Sequence, residues 1–258
     1  MNDVLTFLNS HASVRAFENR DISPDDEQTI LATAERSPTS SNLHAYSIIS
    51  IRDQEKKQQL AEWSGNQAHV AACPLFLVFC ADLYRLSLLT AERGYDFCGE
   101  YTEAFIVATV DAALAAGRAL QAAQALDMGG VMVGGIRNNP SKVSDLLKLP
   151  EMVYPVMGMS LGYPVAAPKV KPRLPLPGLA FAETYQIDQI APAVAEYDRI
   201  IDDVGHLRHR EVEKDRYPDY SGPYSWSEHS ARRMASNSPN TLRPHMLEYL
   251  RERGLLRR

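Results

Sequence analysis

The chain has 258 residues, of which 45% are hydrophobic and 23% charged, and its formal net charge is −5 at pH 7. These fractions are typical of folded globular proteins and exclude the disordered, collagen-like and disulfide-scaffold classes. The negative charge gives no overall attraction to nucleic acid, so no nucleic-acid partner is predicted.

The cysteines indicate the compartment. Cys73, Cys80 and Cys98 form neither a CxxC pair nor a zinc spacing, and the first two lie in or beside an apolar run. We therefore predict buried structural thiols, no metal site and a reducing cytoplasm.

The first residues lack a signal-peptide pattern, and the longest apolar stretch, 74–81, is far shorter than the roughly 20 residues that span a bilayer. No membrane partner is expected.

The first predicted elements are short. A helix at 3–9 is followed by a second helix that starts after Ser23, where Pro24 and two acids favour a helix N-terminus. This helix ends before Pro38, because a residue that precedes proline avoids the helical region. A polar loop, a strand, an amphipathic helix and a buried strand follow at 39–42, 46–51, 54–63 and 74–81.

The dominant helical segment is 101–128, which is Ala-rich, apolar almost all round and followed by Gly129-Gly130 as a stop signal. A helix of this kind is buried on most sides, so we expect a core helix or a helix at a subunit interface. Asp111 interrupts the apolar pattern, and a structural hydrogen bond is its expected role.

The later elements are a short strand or turn, a helix, a strand, a helix and a terminal helix, at 131–136, 141–149, 154–161, 190–203 and 244–254. Several prolines exclude regular structure from 166–177, and the polar segment 206–226 is a predicted loop. Strands and helices alternate irregularly, which indicates one α+β domain with long peripheral excursions.

Polar clusters are the candidate binding elements. At a period of two, His11, Ser13 and Arg15 point to one side of an extended segment. An imidazole, a hydroxyl and a guanidinium on one side suit a phosphate or another anion. The alternative is a solvated strand edge.

Two further clusters follow the same logic. Prolines around Lys171 and Arg173 limit the entropy lost when two cations are directed at one target, although an exposed basic loop is the alternative. Gly134-Gly135 would let backbone amides approach a ligand closely, and a tight turn or strand bulge is the alternative.

Single residues carry less weight. Gln67 is able to hydrogen-bond a heterocycle edge, although such a residue is more often a surface amide. His206 and His209 have a possible metal spacing, but a solvated loop is the more common explanation. The chain has no P-loop, hydrolase or kinase motif and no GxGxxG turn, so a standard Rossmann site is not predicted.

An ordered set of motifs resembles the nitroreductase superfamily, in its branch of NADPH-type flavin reductases and oxygen-insensitive nitroreductases. The motifs are HASVR at 11–15, SPTSSNLHAYSII at 37–49, GNQAHV at 65–70, VFCADLYR at 78–85, DMGGVMVGGIRNNP at 127–140 and KPRLP at 171–175. Each motif alone is weak, whereas the ordered set is specific and spans most of the chain to about residue 190.

The resemblance implies an α+β fold in which a mostly antiparallel central sheet packs with helices and two chains form an intertwined homodimer. It implies FMN at the subunit interface, with 101–128 as the interface helix. A single FMN-binding domain would cover 1–258, and 190–258 would form a C-terminal extension with a nicotinamide-binding loop.

The resemblance also implies roles for residues. His11, Ser13, Lys171 and Arg173 would hold the FMN phosphate and ribityl chain. Arg15 would lie near the flavin pyrimidine, and Gln67 would hydrogen-bond the ring. The backbone of Val133, Gly134 and Gly135 would pack against the isoalloxazine ring. The other subunit would contribute Thr39, Ser40 and Ser41. Arg208, Arg210, Lys214 and Arg216 would bind the 2′-phosphate of NADPH.

The implied function is an FMN-dependent NAD(P)H oxidoreductase that transfers hydride through flavin N5, in a ping-pong reaction, to nitroaromatics, quinones or free flavin. No side chain is needed as a catalytic acid or base, and Arg15 is the candidate for stabilising the anionic reduced flavin. The alternatives are a flavin reductase that supplies a partner monooxygenase and a non-catalytic flavin-binding module.

Some positions depart from the family pattern. His44 stands where relatives usually carry glutamine, and Met132 replaces a bulkier aromatic residue found in some of them. The 206–226 loop is longer than in close relatives. NADPH is favoured as hydride donor, and NADH stays possible.

Overall fold

The computed structural model describes residues 2–207, 210, 220, 222–235 and 242–258. They form two compact units: the first runs to Lys169 and includes Arg243–Arg258, and the second is Val170–Leu242. The division falls at residue 170, whereas the sequence analysis placed the start of a C-terminal extension at 190. That the whole chain acts as one domain stays a prediction.

Every predicted helix is present and in the predicted order, and further helices occur between them. They are α1 (Asp3–Asn9), α2 (Pro24–Glu35), α3 (Gln54–Trp63), α4 (Ala68–Ala72), α5 (Tyr84–Glu92), α6 (Thr102–Ala125), α7 (Pro140–Leu147), α8 (Ile190–Asp203), α9 (Trp226–Ala235) and α10 (Met246–Glu252). Ser23 caps α2 as predicted, since its hydroxyl accepts from the N–H of Asp26 at 3.0 Å.

A four-stranded sheet lies at the centre of the first unit. Its strands are β1 (Tyr46–Ile51), β2 (Leu75–Asp82), β3 (Gly129–Val133) and β4 (Val153–Gly162), in the order β1-β2-β4-β3. Every neighbouring pair is antiparallel. The predicted antiparallel sheet is therefore confirmed, and β1 and β3 are its two edges.

Strand β2 is buried on both faces, as its continuous apolar sequence predicts. Leu75, Leu77 and Phe79 pack in the cluster that contains the alanine-rich face of α6. Phe76 and Val78 point the other way, into a cluster with residues of α3 and α7. The sheet is thus covered by helices on both faces.

The long helix α6 buries one face and exposes another. Its alanines pack on the sheet, whereas Ile106, Val110 and Leu114 are 48%, 48% and 43% exposed. These three residues recur every four positions and form one apolar stripe. The prediction of a core or interface helix is confirmed for the core face, and the stripe leaves an apolar surface without cover in the single chain.

The second unit has its own small core. Tyr197 and Ile201 of α8 pack with Leu207, and the ring of Trp226 meets Tyr197 edge-on at 5.1 Å. Helix α8 has the predicted bounds.

Several boundaries were predicted wrongly. Helix α6 ends at Ala125, before the two glycines, because Asp127 takes a left-handed conformation with φ of 58°. Gly129 and Gly130 begin β3 instead. The chain turns at Gly134–Arg137, and α7 begins at Pro140 and ends at Leu147.

Helices α4, α5 and α9 were missed in the sequence. Helix α4 has only five residues, and α5 has neither a side-chain N-cap nor a buried residue, so no signal marks its ends. Among the residues with assigned positions, no helix is both long and apolar enough to cross a membrane.

Candidate functional site

The segment 11–15 has the predicted alternation. Ala12 and Val14 are buried, whereas Ser13 and Arg15 are exposed and His11 is half-buried. The N–H of Val14 donates to the carbonyl of Gly130 at 3.0 Å, which attaches the segment to β3. The alternation of buried and accessible side chains is therefore as predicted, and the binding role of the polar residues stays a prediction.

Gly129 makes this attachment possible. A Cβ at this position would lie 2.4 Å from Cγ2 of Val14, closer than non-bonded atoms approach. His11 lies at the same end of the molecule, with Nδ1 at 3.3 Å from Nε2 of Gln124. A cavity of about 200 Å³ between α1 and α6 is lined by Phe7, His11 and Gln124, among others.

The Gly134-Gly135 turn packs tightly on the protein itself. Val133 is buried, and a Cβ at Gly135 would lie 2.3 Å from the carbonyl oxygen of Ser64 and 2.4 Å from Nε2 of Gln67. Gly135 is thus required by its contact with the loop between α3 and α4, as in the tight turn given as the alternative, and the approach of its backbone to a ligand stays a prediction. The contact brings Gln67 against the glycine turn, as the predicted site requires.

Gln67 is half-buried, and each polar atom of its amide already makes one hydrogen bond within the protein. Its Nε2 donates to the carbonyl of Ser64 at 2.7 Å, and its Oε1 lies 3.0 Å from Nε2 of His69. It is therefore not the loose surface amide that was the alternative. Sequence reasoning missed His69, although this residue lies within the GNQAHV motif, two positions after Gln67.

Arg15 and His69 share an electrostatic environment. Burial lowers the pKa of His69, and the positive charge of Arg15 lowers it further. The 11–15 segment is bonded to β3, β3 leads into the glycine turn, and the turn packs on the α3–α4 loop, so all three belong to the first unit.

The loop at 39–45 belongs to the opposite edge of the sheet. The buried carboxylate of Asp111 accepts from the N–H of Ser40 at 3.0 Å and from the N–H of Ala45 at 3.1 Å, so its predicted structural hydrogen bond is confirmed. Ser40 and Ser41 are exposed, and Thr39 is half-buried. This loop leads into β1, whereas 11–15 lies along β3, three strand spacings of roughly 4.8 Å away.

The loop is unusual in its backbone. Ser41, Asn42 and His44 all have positive φ, at 50°, 56° and 50°. Such conformations are uncommon for residues other than glycine and persist where the surroundings impose them. His44 is exposed, and its Nε2 lies 3.1 Å from Oδ1 of Asn42.

Met132, which the sequence analysis also noted as a departure from the family pattern, lies on β3 and is 36% exposed.

The basic segment of the second unit is irregular and anchored. Lys171 and Arg173 are both exposed, and Nη1 of Arg173 donates to the carbonyl of Lys171 at 2.9 Å. The hydroxyl of Tyr197 donates to the carbonyl of Pro172 at 3.0 Å, which holds the segment on α8. The predicted rigidity has a physical basis in this contact and in the prolines.

Most of the predicted nicotinamide residues cannot be placed. Arg208, Lys214 and Arg216 lie outside the described residues, as does His209. Arg210 is exposed, and its N–H donates to the carbonyl of Leu207 at 2.9 Å. Where side chains are described, no group of histidine, cysteine, aspartate or glutamate residues is arranged to hold a metal ion.

An antiparallel sheet between two helical layers, with the polar 11–15 segment and a glycine turn adjoining its edge strand β3, defines an α+β protein. Residues 8–163 match the family described as "Nitroreductase family", and residues 171–258 match "Nitroreductase family, C-terminal domain". The chain belongs to the nitroreductase family.

Similar proteins span the whole chain. It is 33% identical to the NADPH-flavin oxidoreductase of Vibrio harveyi over 258 residues, which is 100% of each chain. It is 33% identical to the oxygen-insensitive NADPH nitroreductase of Salmonella typhimurium, with 98% of each chain covered. A solved nitroreductase of Bacillus subtilis superposes with a TM-score of 0.87 at 33% identity, with 100% of both chains covered. The predicted family and fold class are confirmed.

Proposed function

We propose that the chain is an FMN-dependent NAD(P)H oxidoreductase that reduces nitroaromatics, quinones or free flavin. The observation that carries the proposal is the polar row of His11, Ser13 and Arg15, bonded to the strand that leads into the glycine turn, together with the packing of that turn on Gln67. The names of the relatives support it, since they include an FMN reductase that uses NADPH and an NADPH nitroreductase.

The residues present fit FMN. Its phosphate is an anion that an imidazole, a hydroxyl and guanidinium or ammonium groups bind well, and its ring edge pairs with a fixed amide. The described residues offer both kinds of partner. Gln67 retains one N–H and one lone pair after its contacts with Ser64 and His69.

Each residue then has a binding role. His11, Ser13, Lys171 and Arg173 would hold the phosphate and ribityl chain. Arg15 would lie near the pyrimidine and Gln67 at the ring, with the backbone of Val133–Gly135 against the isoalloxazine. When bound, FMN supplies the redox chemistry, a ping-pong hydride relay through N5. Arg15 stabilises negative charge at the ring, and no side chain has to act as an acid or base.

The experiment that tests this function is spectroscopic. The visible spectrum of the purified protein is recorded, and NADPH or NADH is then added without oxygen. We expect flavin bands that bleach, faster with NADPH. A colourless protein that takes up no FMN contradicts the proposal, and bound FMN that neither nucleotide reduces supports the non-catalytic flavin-binding module.

The acceptor is a separate question. Flavin reductases and nitroreductases occur among the relatives, so a flavin reductase that supplies a partner monooxygenase is the second candidate. Turnover rates with free FMN and with a nitroaromatic compound discriminate between them.

A homodimer is part of the proposal. The apolar stripe of Ile106, Val110 and Leu114 needs a cover, and Thr39–Ser41 lie at the sheet edge opposite 11–15, so the second copy would supply them. Sedimentation is expected to show a dimer that Val110→Lys weakens. Leu89→Lys, at a residue 50% exposed on α5, is the matched control. Wild-type protein that sediments as a monomer contradicts the homodimer.

The nicotinamide site stays a prediction. Arg208, Arg210, Lys214 and Arg216 would bind the 2′-phosphate of NADPH. Arg208→Ala is expected to raise the KM for NADPH far more than the KM for NADH, because only NADPH carries this phosphate. Equal effects on both would remove Arg208 from that role.

A further inference from the structure

A continuous chain of hydrogen bonds runs from the loop between α3 and α4, through α4, to β4. Nε2 of Gln67 donates to the carbonyl of Ser64 at 2.7 Å, and Oε1 of Gln67 lies 3.0 Å from Nε2 of His69. On its other side, Nδ1 of His69 lies 3.1 Å from Oγ of Ser160, a fully buried residue of β4. The chain connects Gln67 to the centre of the sheet.

The direction of every bond in this chain is determined. The carbonyl of Ser64 only accepts, so Gln67 must present its Nε2 to Ser64 and its Oε1 to His69. Oε1 only accepts as well, so the proton of the imidazole must be on Nε2. A neutral imidazole has one N–H, which leaves Nδ1 to accept from the hydroxyl of Ser160.

The charge state of His69 agrees with this arrangement. Burial and the positive charge of Arg15 both lower the pKa of His69, which favours the neutral ring at neutral pH. A neutral ring has two tautomers, and the chain of hydrogen bonds is compatible with only one of them.

The amide of Gln67 is therefore held in one orientation. Its remaining N–H and lone pair therefore keep a defined order, and the glycine turn limits the movement of the amide, since Gly135 approaches Nε2 too closely to carry a Cβ. A planar heterocycle with hydrogen-bond donors and acceptors on its edge binds well when the donor and acceptor of the amide are in the matching order, and poorly when they are reversed. An amide free to rotate would offer either order.

We propose that His69 is a positioning residue for the flavin site, which orients the amide of Gln67 through its Nε2–H and is itself held in one tautomer by Ser160. The inference rests on the proposed function, because it takes Gln67 as a contact of the flavin ring. His69 acts through Gln67 and does not have to touch the flavin.

The test measures FMN affinity of the apo-proteins by quenching of flavin fluorescence. His69→Phe is expected to weaken FMN binding about tenfold, since one oriented hydrogen bond corresponds to about that factor. His69→Gln retains an N–H near the position of the imidazole Nε2 and is expected to restore most of the affinity. Ser160→Ala releases the tautomer and is expected to weaken binding by about threefold.

A structural role would give a different pattern. It would change the melting temperature and the FMN Kd together, whereas positioning predicts similar melting temperatures for His69→Phe and His69→Gln but different Kd values. His229→Phe is the matched control, because it removes a half-buried imidazole bonded to Tyr224 in the second unit. Its FMN Kd should equal that of the wild type.

The outcomes are distinguishable. Wild-type affinity in both His69→Phe and Ser160→Ala overturns the positioning role while the proposed function stands. If His69→Phe does not fold, Ser160→Ala, which is nearly isosteric, decides alone. A wild-type protein that binds no FMN contradicts the proposed function itself.

Discussion

Asp111, buried in the middle of α6, accepts a hydrogen bond at 3.0 Å from the backbone N–H of Ser40, 71 residues earlier in the chain. Its second carboxylate oxygen accepts from Ala45 at 3.1 Å, so one side chain holds both ends of the loop. Between these ends lie three residues with positive φ. The charge-assisted bonds offset the conformational cost of this loop.

Removal of this carboxylate should therefore be costly. Asp111→Ala leaves the N–H groups of Ser40 and of the buried Ala45 without their acceptor and is expected to lower the free energy of unfolding by about 2–3 kcal/mol. Chemical denaturation measures the change. Glu103→Ala, at an exposed acid of the same helix, is expected to change stability by less than about 0.5 kcal/mol. Equal effects of the two variants would contradict the role of Asp111.

Gly135→Ala should disturb both the fold and the site. The added Cβ would lie 2.3 Å from the carbonyl of Ser64 and 2.4 Å from Nε2 of Gln67, so the α3–α4 loop has to move. We expect a loss of about 1–3 kcal/mol in unfolding free energy together with weaker FMN binding. Gly94→Ala is a useful comparison, because its Cβ would meet nothing within 4 Å. Because Gly94 has φ of 72°, Gly94→Ala introduces backbone strain without a clash. Only Gly135→Ala should therefore weaken FMN binding.

Local patterns predicted much of the fold. The alternation of 11–15, the cap at Ser23 and the apolar run of β2 each follow from short-range chemistry, and each is seen in the structure. The candidate cluster of His11, Ser13 and Arg15 could be found for the same reason, since its members are two residues apart.

Contacts between distant segments could not be predicted in this way. His69 and Ser160 are 91 residues apart, and no periodicity relates them. Likewise, Gly129 reads as a helix stop in the sequence, whereas its proximity to Val14 shows that close packing requires it. Positioning residues of the site are of this kind, because their partners come from other elements of the fold.

The cations of the second unit should contribute to FMN affinity. Lys171→Ala or Arg173→Ala removes a charge-assisted contact to the phosphate, which corresponds to about 1.5–3 kcal/mol of binding free energy. Fluorescence titration of the apo-proteins measures this. Lys169→Ala, an exposed lysine nearby, removes the same charge and should have little effect. Unchanged affinity in both variants would show that the phosphate is bound elsewhere.

The three cysteines should differ in reactivity. Cys98 is exposed, whereas Cys73 and Cys80 are buried. Burial raises the pKa of Cys73, and burial together with Asp82 raises the pKa of Cys80 to about 12, so neither forms a thiolate near pH 8. A disulfide reagent should label one thiol quickly in the native protein and three after unfolding. Cys98→Ser should abolish the fast reaction, and a fast phase that persists would contradict this assignment.

The stability of the apo-protein should fall as the pH drops through the range in which His69 titrates. Its folded-state pKa is lowered from 6.5 by burial and by Arg15, so above pH 6.5 the ring is neutral in both states. Below that value the unfolded chain takes up a proton first, and stability is lost until the pH passes the folded-state pKa. His69→Gln has no such group, so its stability should decrease less than that of the wild type between pH 7.5 and about pH 5. Because His229, whose pKa burial also lowers, is present in both proteins, the difference between the two denaturation curves isolates His69. Parallel pH profiles would show that His69 has the same pKa in the folded and unfolded chain.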